Sequence, residues 1–335
     1  MHCYNYWWDQ RSASNNTPVL SRNDISYLIT KIKEEASLRQ VALSGGEPFL
    51  RRDLTGIVCD LTEADLSTVV ITNGTMLTES RLRRFPEGTI FEVTLFSAEA
   101  ELHNRIAGNQ VFDKVVEGLV RVERHKCKFA LAFVLTKMNA HEVSRTFELA
   151  IALGADAVLF NRINMSKHML PLADRLIPSP QQLYDSLAAA EEAARKYGLM
   201  VAVSVPIPPC LIDPREFTNL HFGWCPRGNH ESYYTIGTGG SVRPCNHSSV
   251  VLGNLFEKSF GEIITGTKTK SFWKPIPEEC LNCEHPLKDF CRGGCPAAAD
   301  ECYGTRLKKD PIIEYSLQVD DGAFAEVAGK TIARS

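Results

Sequence analysis

The sequence lacks the features that would place this protein in a membrane or on a nucleic acid. No apolar run approaches the ~18 residues of a membrane span, and the opening residues 1–10 have no apolar stretch of a signal peptide. The formal net charge is −3, without the basic excess that phosphate-backbone binding requires. We therefore expect no membrane and no nucleic-acid partner, and a cytoplasmic location in which thiols stay reduced.

Repeats and low-complexity tracts are also lacking, and the composition is that of an ordinary globular protein. The 335 residues are 44% hydrophobic and 23% charged, which is enough to bury a sizeable core. A chain of this length suggests one large domain and a smaller one.

Cysteine is abundant. Eleven are present, and seven of them lie in one C-terminal stretch: Cys225, Cys245, Cys280, Cys283, Cys291, Cys295 and Cys302. In a small secreted protein they would indicate disulfides, whereas in a cytoplasmic enzyme of this size metal or cluster ligation is the better interpretation.

Helical and strand patterns alternate through the first two thirds of the chain. Short apolar strands are predicted at 41–43, 68–72, 90–96, 129–135, 157–162 and 199–205, with amphipathic helices between them. Repeated strand–helix units predict an α/β fold with parallel strands joined by right-handed crossovers. We expect a partial (β/α)6-type barrel with its active site at the carboxyl ends of the strands.

The composition changes at the breaker cluster 206–210, where glycine, proline and cysteine begin to dominate. We predict the barrel in residues 1–205, a small cysteine-rich cluster-binding domain in 206–315 and a tail in 316–335. A small domain with weak helical periodicity is typical of folds held by metal sites.

Three groups of residues are candidates for binding a cofactor, and the last two come at or near the ends of predicted strands. They are His2 and Cys3 near the N-terminus, the turn Gly45-Gly46-Glu47-Pro48, and the threonines Thr72 and Thr94. Two glycines after a strand let the backbone approach a charged small molecule, although ordinary turn chemistry also explains such a pair.

Taken together, His-Cys-Tyr about forty residues before Gly-Gly-Glu-Pro resembles the radical S-adenosylmethionine (SAM) superfamily. In that family three cysteines of one loop hold a [4Fe-4S] cluster, and SAM binds its remaining iron. The resemblance implies that Cys3 is the last of these ligands, that His2 lies beside the adenine, and that Gly45 to Pro48 cradle the methionine end. Thr72 and Thr94 would face SAM. Arg162 is a further cofactor candidate, or else it pairs with a carboxylate that closes the domain.

The N-terminus departs from that pattern, because only Cys3 of the three loop cysteines is present. One thiolate cannot hold a stable cluster. We expect a misplaced start or a fragment, with Met1 an internal methionine of the loop. The alternative is a degenerate member without the radical cluster.

The C-terminal cysteine spacing resembles the SPASM domain, the auxiliary-cluster module of peptide-modifying radical SAM enzymes. Cys225 is followed after fourteen residues by Gly240 and four more lead to Cys245, while the later cysteines are separated by two, seven, three and six residues. In the family, the interval that corresponds to the seven residues between Cys283 and Cys291 is usually five residues long. The resemblance implies one or two auxiliary [4Fe-4S] clusters: one on Cys280, Cys283, Cys291 and Cys302, the other on Cys225, Cys245 and Cys295.

Other interpretations of the cysteines stay open. The pairs Cys280–Cys283 and Cys291–Cys295 could form an all-thiolate zinc site. Cys59 and Cys127 fit small buried hydrophobes. The iron of the second cluster that lacks a cysteine could be bound by Cys210 as a spare ligand, by another residue or by the substrate.

The resemblance implies an oxidoreductase that uses a 5′-deoxyadenosyl radical to abstract hydrogen from a peptide or small protein, with flavodoxin or ferredoxin as electron donor. Asn246 stands where the sulfatase-maturating branch has an aspartate base, which counts against that branch. Tetrapyrrole side-chain modification is an alternative, because the segment 94–108 is similar in heme-synthesis relatives. The second alternative is a non-catalytic zinc-binding scaffold.

Overall fold

A seven-stranded parallel sheet is the larger of the two sheets in the described part of the chain. The computed structural model describes residues 19–229 and 231–318 of the chain. Its larger sheet has seven strands in chain order, and every neighbouring pair is parallel. The strands are β1 (Gln40–Leu43), β2 (Ser67–Thr72), β3 (Ile90–Thr94), β4 (Lys128–Leu135), β5 (Ala157–Arg162), β6 (Met200–Val203) and β7 (Leu220–Phe222). The predicted α/β partial barrel of parallel strands is confirmed.

Helices connect successive strands and cover one side of the sheet. They are α1 (Arg22–Glu35), α2 (Leu54–Glu63), α3 (Glu79–Leu82), α4 (Ala100–Ala107), α5 (Phe112–Arg124), α6 (Val143–Ala152), α7 (Ala173–Leu176) and α8 (Pro180–Tyr197), with 3-10 turns at Pro48–Leu50, Ala140–Glu142, Lys167–Leu172 and Pro214–Glu216. Across the described ranges, no helix combines the length and the apolar character needed to cross a bilayer.

Alternation along the strands decides which side chains face the helices. In β3, Phe91 and Val93 are fully buried in the main apolar core, which also contains Val115 and Leu119 of α5. Because successive strand residues point to opposite faces, Glu92 faces the other side of the sheet, together with the residues in register with it on the adjacent strands. We call this side the inner face; by strand register it carries Val69, Ile71, Glu92, Thr94, Ala130, Ala132, Leu159, Asn161 and Ala202.

The cysteine-rich part contains a small antiparallel sheet and short helices. A hairpin joins β8 (Thr235–Ile236) to β9 (Ser241–Arg243), and β10 (Gly253–Asn254) pairs with the other edge of β9. The helices are α9 (Phe260–Thr265), α10 (Thr267–Trp273), α11 (Glu278–Leu281), α12 (Lys288–Cys291), α13 (Pro296–Tyr303) and α14 (Pro311–Gln318).

The sheet continues beyond the domain boundary that the sequence predicts at residue 205. Strand β7 pairs with β6, and three buried side chains near the end of the chain, Cys302, Ile312 and Ile313, belong to the barrel core. A three-residue strand is too short to show an alternating pattern in the sequence. Strand β7 was therefore not predicted, and the breaker cluster before it was interpreted as the end of the sheet. The barrel is therefore assembled from both sides of the cysteine-rich segment.

Candidate functional site

The strand register brings the predicted SAM residues of the described chain to one edge of the sheet. Leu43 pairs with Val70, so the turn after β1 lies beside the end of β2. Thr94 ends β3 next to Ala132 of β4. Since carboxyl ends of parallel strands share an edge, residues 45–48, Thr72 and Thr94 all lie along it. Thr72 is in register with Val93, on the helix-covered face, whereas Thr94 is on the inner face. His2 and Cys3 lie outside the described residues.

Glu47 braces the turns of this edge. Its Oε1 accepts hydrogen bonds from the Thr72 hydroxyl at 2.8 Å and from the Phe49 amide at 3.1 Å. Its Oε2 accepts from the Asn73 amide at 2.9 Å. The Thr72 hydroxyl in turn accepts from the Gly74 amide at 3.1 Å. Glu47 and Thr72 are thus bonded to protein groups, and they fix the positions of the loops that follow β1 and β2.

The glycines of this edge have different reasons to lack a side chain. A Cβ placed on Gly45 or Gly46 would meet no atom of residues 19–229 or 231–318 within 4 Å, so the two peptide groups border space that no described residue fills. Gly74 has φ +78° and a Cβ there would come within 2.8 Å of Val93. Gly74 is therefore required by the fold, whereas the free space at Gly45 and Gly46 fits a ligand held by backbone groups.

Arg162, at the end of β5, is fully buried and paired with a carboxylate. Its Nη2 bonds to Asp310, its Nε donates to the Pro206 carbonyl at 3.0 Å, and its Nη1 donates to the Ile163 carbonyl at 3.1 Å. The structure therefore has the domain-closing ion pair that was the alternative to cofactor binding for this arginine.

Asp310 is a site residue that the sequence analysis missed. Besides Arg162, its carboxylate accepts hydrogen bonds from the amide of Cys295 at 2.9 Å and from the amide of Ile312 at 3.1 Å. An aspartate directly before a helix-opening proline is a capping signal, but its partner 148 residues away leaves no local trace in the sequence. Asp310 links the end of β5 to a cysteine.

The ten described cysteines are all free thiols, and their mutual electrostatic effects divide those of the C-terminal part into two groups. Among the causes that raise the Cys210 pKa after burial are the charges of Cys291 and Cys280, and Cys283 also acts on Cys280. We call these four the outer group. We call Cys225, Cys245 and Cys295 the inner group, because Cys295 and Cys225 both act on Cys245. Burial raises the pKa of Cys302, and the negative charges of Asp310, Glu301 and Cys295 add to that effect.

Burial suppresses ionisation of these thiols. It raises the pKa of Cys245 to about 12 and that of Cys295 to about 11, and like-charged neighbours add to the effect. Cys210 reaches solvent, yet the surrounding protein raises its pKa to about 12 as well. Such thiols ionise when a metal centre supplies the positive charge. A grouped set of thiols with this property fits cluster ligation.

A mononuclear site is not formed by the described side chains. Within residues 19–229 and 231–318, no three His, Cys, Asp or Glu side chains converge closely enough to hold one metal ion. In a four-iron cluster each thiolate binds a different iron, so the sulfurs stand further apart than around one zinc ion. The spacing within the groups gives no support to the all-thiolate zinc site.

Arg227 lies among the cysteines of both groups. Its Nη2 donates to three carbonyls of one loop, those of Cys291 at 2.9 Å, Arg292 at 3.2 Å and Gly294 at 2.8 Å. Its buried Nε and Nη1 have no hydrogen-bond partner within the described ranges. Burial lowers the pKa of Arg227, while the thiolate charges of Cys225, Cys295 and Cys291 act in the opposite direction.

Family comparisons agree with this two-part arrangement. The model of the radical SAM superfamily matches residues 1–150. The model of the SPASM iron–sulfur cluster-binding domain matches residues 225–284. The first range includes the carboxyl edge at residues 45–48, Thr72 and Thr94, and the second begins at Cys225.

Individual proteins similar to this chain include a PqqA peptide cyclase from Granulibacter bethesdensis, which is 26% identical and covers 84% of this chain and 76% of its own length. The structure of Streptococcus suis SuiB matches with a TM-score of 0.69 at 15% identity, over 89% of this chain and 72% of that one. Native anSMEcpe with bound AdoMet matches with a TM-score of 0.66 at 17% identity, over 92% of this chain and 90% of that one. At these identities the two structures share the fold.

Proposed function

We propose, since this chain is a radical SAM enzyme with a SPASM domain, that it modifies a ribosomally made peptide or small protein. The substrate class is carried by the match to a PqqA peptide cyclase along most of both chains. The fold neighbours anSMEcpe and SuiB also have solved complexes with peptides. These findings give no support to tetrapyrrole modification or to a non-catalytic zinc scaffold.

For SAM binding we propose the carboxyl edge of the sheet. The peptide groups of Gly45 and Gly46 border space that the described part of the chain leaves free. They would hold the charged methionine end of SAM, with Pro48 starting the turn that follows. Thr94 would contact SAM from the inner face. Glu47 and Thr72 would act indirectly, through the hydrogen bonds that fix these loops. His2 and Cys3 stay predictions from the resemblance, and Arg162 is left out of the SAM set because its guanidinium is bonded within the protein.

When bound, SAM and its reduced cluster supply a 5′-deoxyadenosyl radical that abstracts hydrogen from an unactivated carbon. The described residues would shape the reaction space. Ala130 and Ala132, which pair in register with Glu92 and Thr94 on the inner face, would border the substrate side chain. The apolar core behind the strands keeps the sheet rigid. An electron donor of the flavodoxin or ferredoxin class completes the proposed system.

For the auxiliary clusters we propose two ligand sets. The outer group, Cys210 with Cys280, Cys283 and Cys291, would hold one [4Fe-4S] cluster, and the inner group would hold the other. The family resemblance assigns Cys302 to the outer set. We place Cys210 in the outer set instead, because the charges of Cys280 and Cys291 act on its thiol. Cys302, in contrast, is buried in the barrel core, and the charge of Cys295 acts on it.

Paired serine variants test this assignment. After anaerobic reconstitution, Cys210→Ser should lose about four irons per chain, the content of one cluster. Cys302→Ser should keep the outer cluster's spectrum, and Cys59→Ser is the control outside both groups. Loss of the outer cluster in the Cys302 variant alone would return Cys302 to that set.

The activity test uses the complete gene product, reconstituted anaerobically with iron and sulfide. It is incubated with SAM, dithionite and the small peptide encoded nearest its own gene. We expect 5′-deoxyadenosine to form, and we expect the peptide to lose the mass of two hydrogen atoms when a cross-link forms. A Gly45→Val, Gly46→Val variant, which fills the proposed SAM cradle, is the matched negative control.

Two results would contradict the proposal. Iron and acid-labile sulfide that stay negligible while zinc binds would overturn the cluster assignment. Formation of 5′-deoxyadenosine that increases with a porphyrin substrate and is indifferent to every peptide tried would overturn the substrate class.

A further inference from the structure

Arg227 stands out because it is a partly buried cation near several thiols, with two donor nitrogens that have no partner among the described residues. Guanidinium groups have five N–H donors in a fixed plane, and protein interiors leave few such donors without a partner. Here Nη2 is saturated by three carbonyls, while the buried Nε and Nη1 have no acceptor in the part of the chain that the structure describes.

The backbone holds Arg227 in this position at a cost. Its φ of +48° lies in the left-handed region, which costs a non-glycine residue on the order of 1 kcal/mol. The three carbonyls that bind Nη2 belong to residues 291, 292 and 294, so the plane of the guanidinium is fixed against the loop between Cys291 and Cys295. This fixed plane determines where the other N–H groups point.

The charged surroundings of Arg227 are those of a sulfur site. Burial lowers the pKa of Arg227, the thiolates of Cys225, Cys295 and Cys291 act to raise it, and the charge of Arg292 acts to lower it. Arg227 in turn favours ionisation of Cys225 and Cys291, although burial keeps the pKa of both thiols raised overall. A cation whose charge acts on thiols of both groups would stabilise a negatively charged group bound by those thiols.

We propose that Nε and Nη1 of Arg227 donate hydrogen bonds to sulfur of the iron–sulfur cluster held by Cys225, Cys245 and Cys295, and thereby raise its reduction potential. This inference rests on the proposed function, in which the inner group holds a cluster. Reduction adds one negative charge to a cluster, so hydrogen bonds and a nearby cation favour the reduced state. Arg227 is a positioning and tuning residue in this role, without contact to the reacting carbon.

The test is the midpoint potential of the auxiliary clusters, measured by EPR-monitored redox titration of the reconstituted complete gene product. Arg227→Gln removes the charge and the fork of donors, and should lower one potential. Arg227→Lys keeps the charge but loses the planar donors, and should lower it less. Arg292→Gln is the control for loss of a nearby positive charge, since Arg292 bonds outward to the Lys274 carbonyl at 3.4 Å; its shift should be the smallest.

The outcomes separate the inference from the proposed function. Wild-type protein without acid-labile sulfide would overturn both. Wild-type clusters with an unchanged potential in Arg227→Lys and Arg227→Gln would overturn the inference alone, and Arg227 would then only join two loops. If Arg227→Gln loses the inner cluster, the potential of Arg227→Lys decides, because that variant keeps the cation.

Discussion

At the scale of single residues, Glu92 carries a carboxyl group into the inner face of the sheet. Burial raises its pKa to about 7 from 4.5. The folded protein therefore keeps this proton at pH values where the unfolded chain has lost it. The stability contributed by Glu92 is fully present below pH 4.5 and is lost as the pH rises through about 7.

Replacing Glu92 by Gln should remove this pH dependence. At pH 8 we expect Glu92→Gln to be more stable than the parent, by on the order of 3 kcal/mol, and the two proteins to converge toward pH 5. Urea unfolding across this pH range measures the difference. Glu63→Gln, at an exposed helix end, is the control. Parallel stability curves for parent and Glu92→Gln would contradict the buried charge as the cause.

The Arg162–Asp310 pair is the second residue-scale feature with a measurable consequence. Asp310→Asn leaves the fully buried guanidinium of Arg162 without its counter-ion, and breaking such a pair costs about 3–5 kcal/mol. Thermal and urea unfolding should show the loss. The double variant Arg162→Met, Asp310→Leu should recover much of it, because no charge is then left buried. Glu192→Gln, which breaks a surface pair with Arg195, should leave the midpoint unchanged.

At the scale of elements, the turns after β1 and β2 contain glycines that serve different purposes. Gly74 is needed for folding, whereas Gly46 is proposed to leave space for SAM. Gly74→Ala should destabilise the protein by about 1–3 kcal/mol, because its Cβ would collide with Val93 in a left-handed turn. Gly46→Ala should keep the midpoint of thermal unfolding and weaken SAM binding, measured by calorimetry on the complete gene product. Equal stability losses in both variants would contradict the open cradle.

The regular elements were predictable because their patterns are local. Ser179 caps α8 with a capping box and Gly198 ends it at φ +64°, as the sequence indicates. The apolar periodicity that follows Asp24 predicts Asp24 as the cap of α1. In the structure Ser21 is the cap, and Asp24 is its partner in the capping box. Strand β7 and the carboxylate of Asp310 escaped prediction because their partners are distant in sequence. For the site, motif resemblance located the glycine turn. It could not show that the carboxylate of Glu47 accepts hydrogen bonds from Thr72 and Asn73.

At the scale of the whole molecule, the barrel and the cysteine-rich part share one core. A chain that ends at residue 205 lacks β7, Asp310 and α14, including Ile312 and Ile313, whose loss would cost about 2–5 kcal/mol each. We expect this fragment to be insoluble or unfolded by size-exclusion chromatography and circular dichroism. Adding Arg162→Met should not rescue it, because the missing packing remains. A folded, monomeric fragment would restore the boundary at 205.

Strand β7 and helix α14 also determine where the cluster module could be exchanged between related enzymes. The barrel continues at Leu220–Phe222 and again at Pro311–Gln318, so the cluster module is inserted into it rather than appended. Exchanging modules between related enzymes at one crossover point would divide the barrel core. A working chimera would need two junctions, one after Phe222 and one before Pro296, with the capping aspartate and its arginine taken from the same parent.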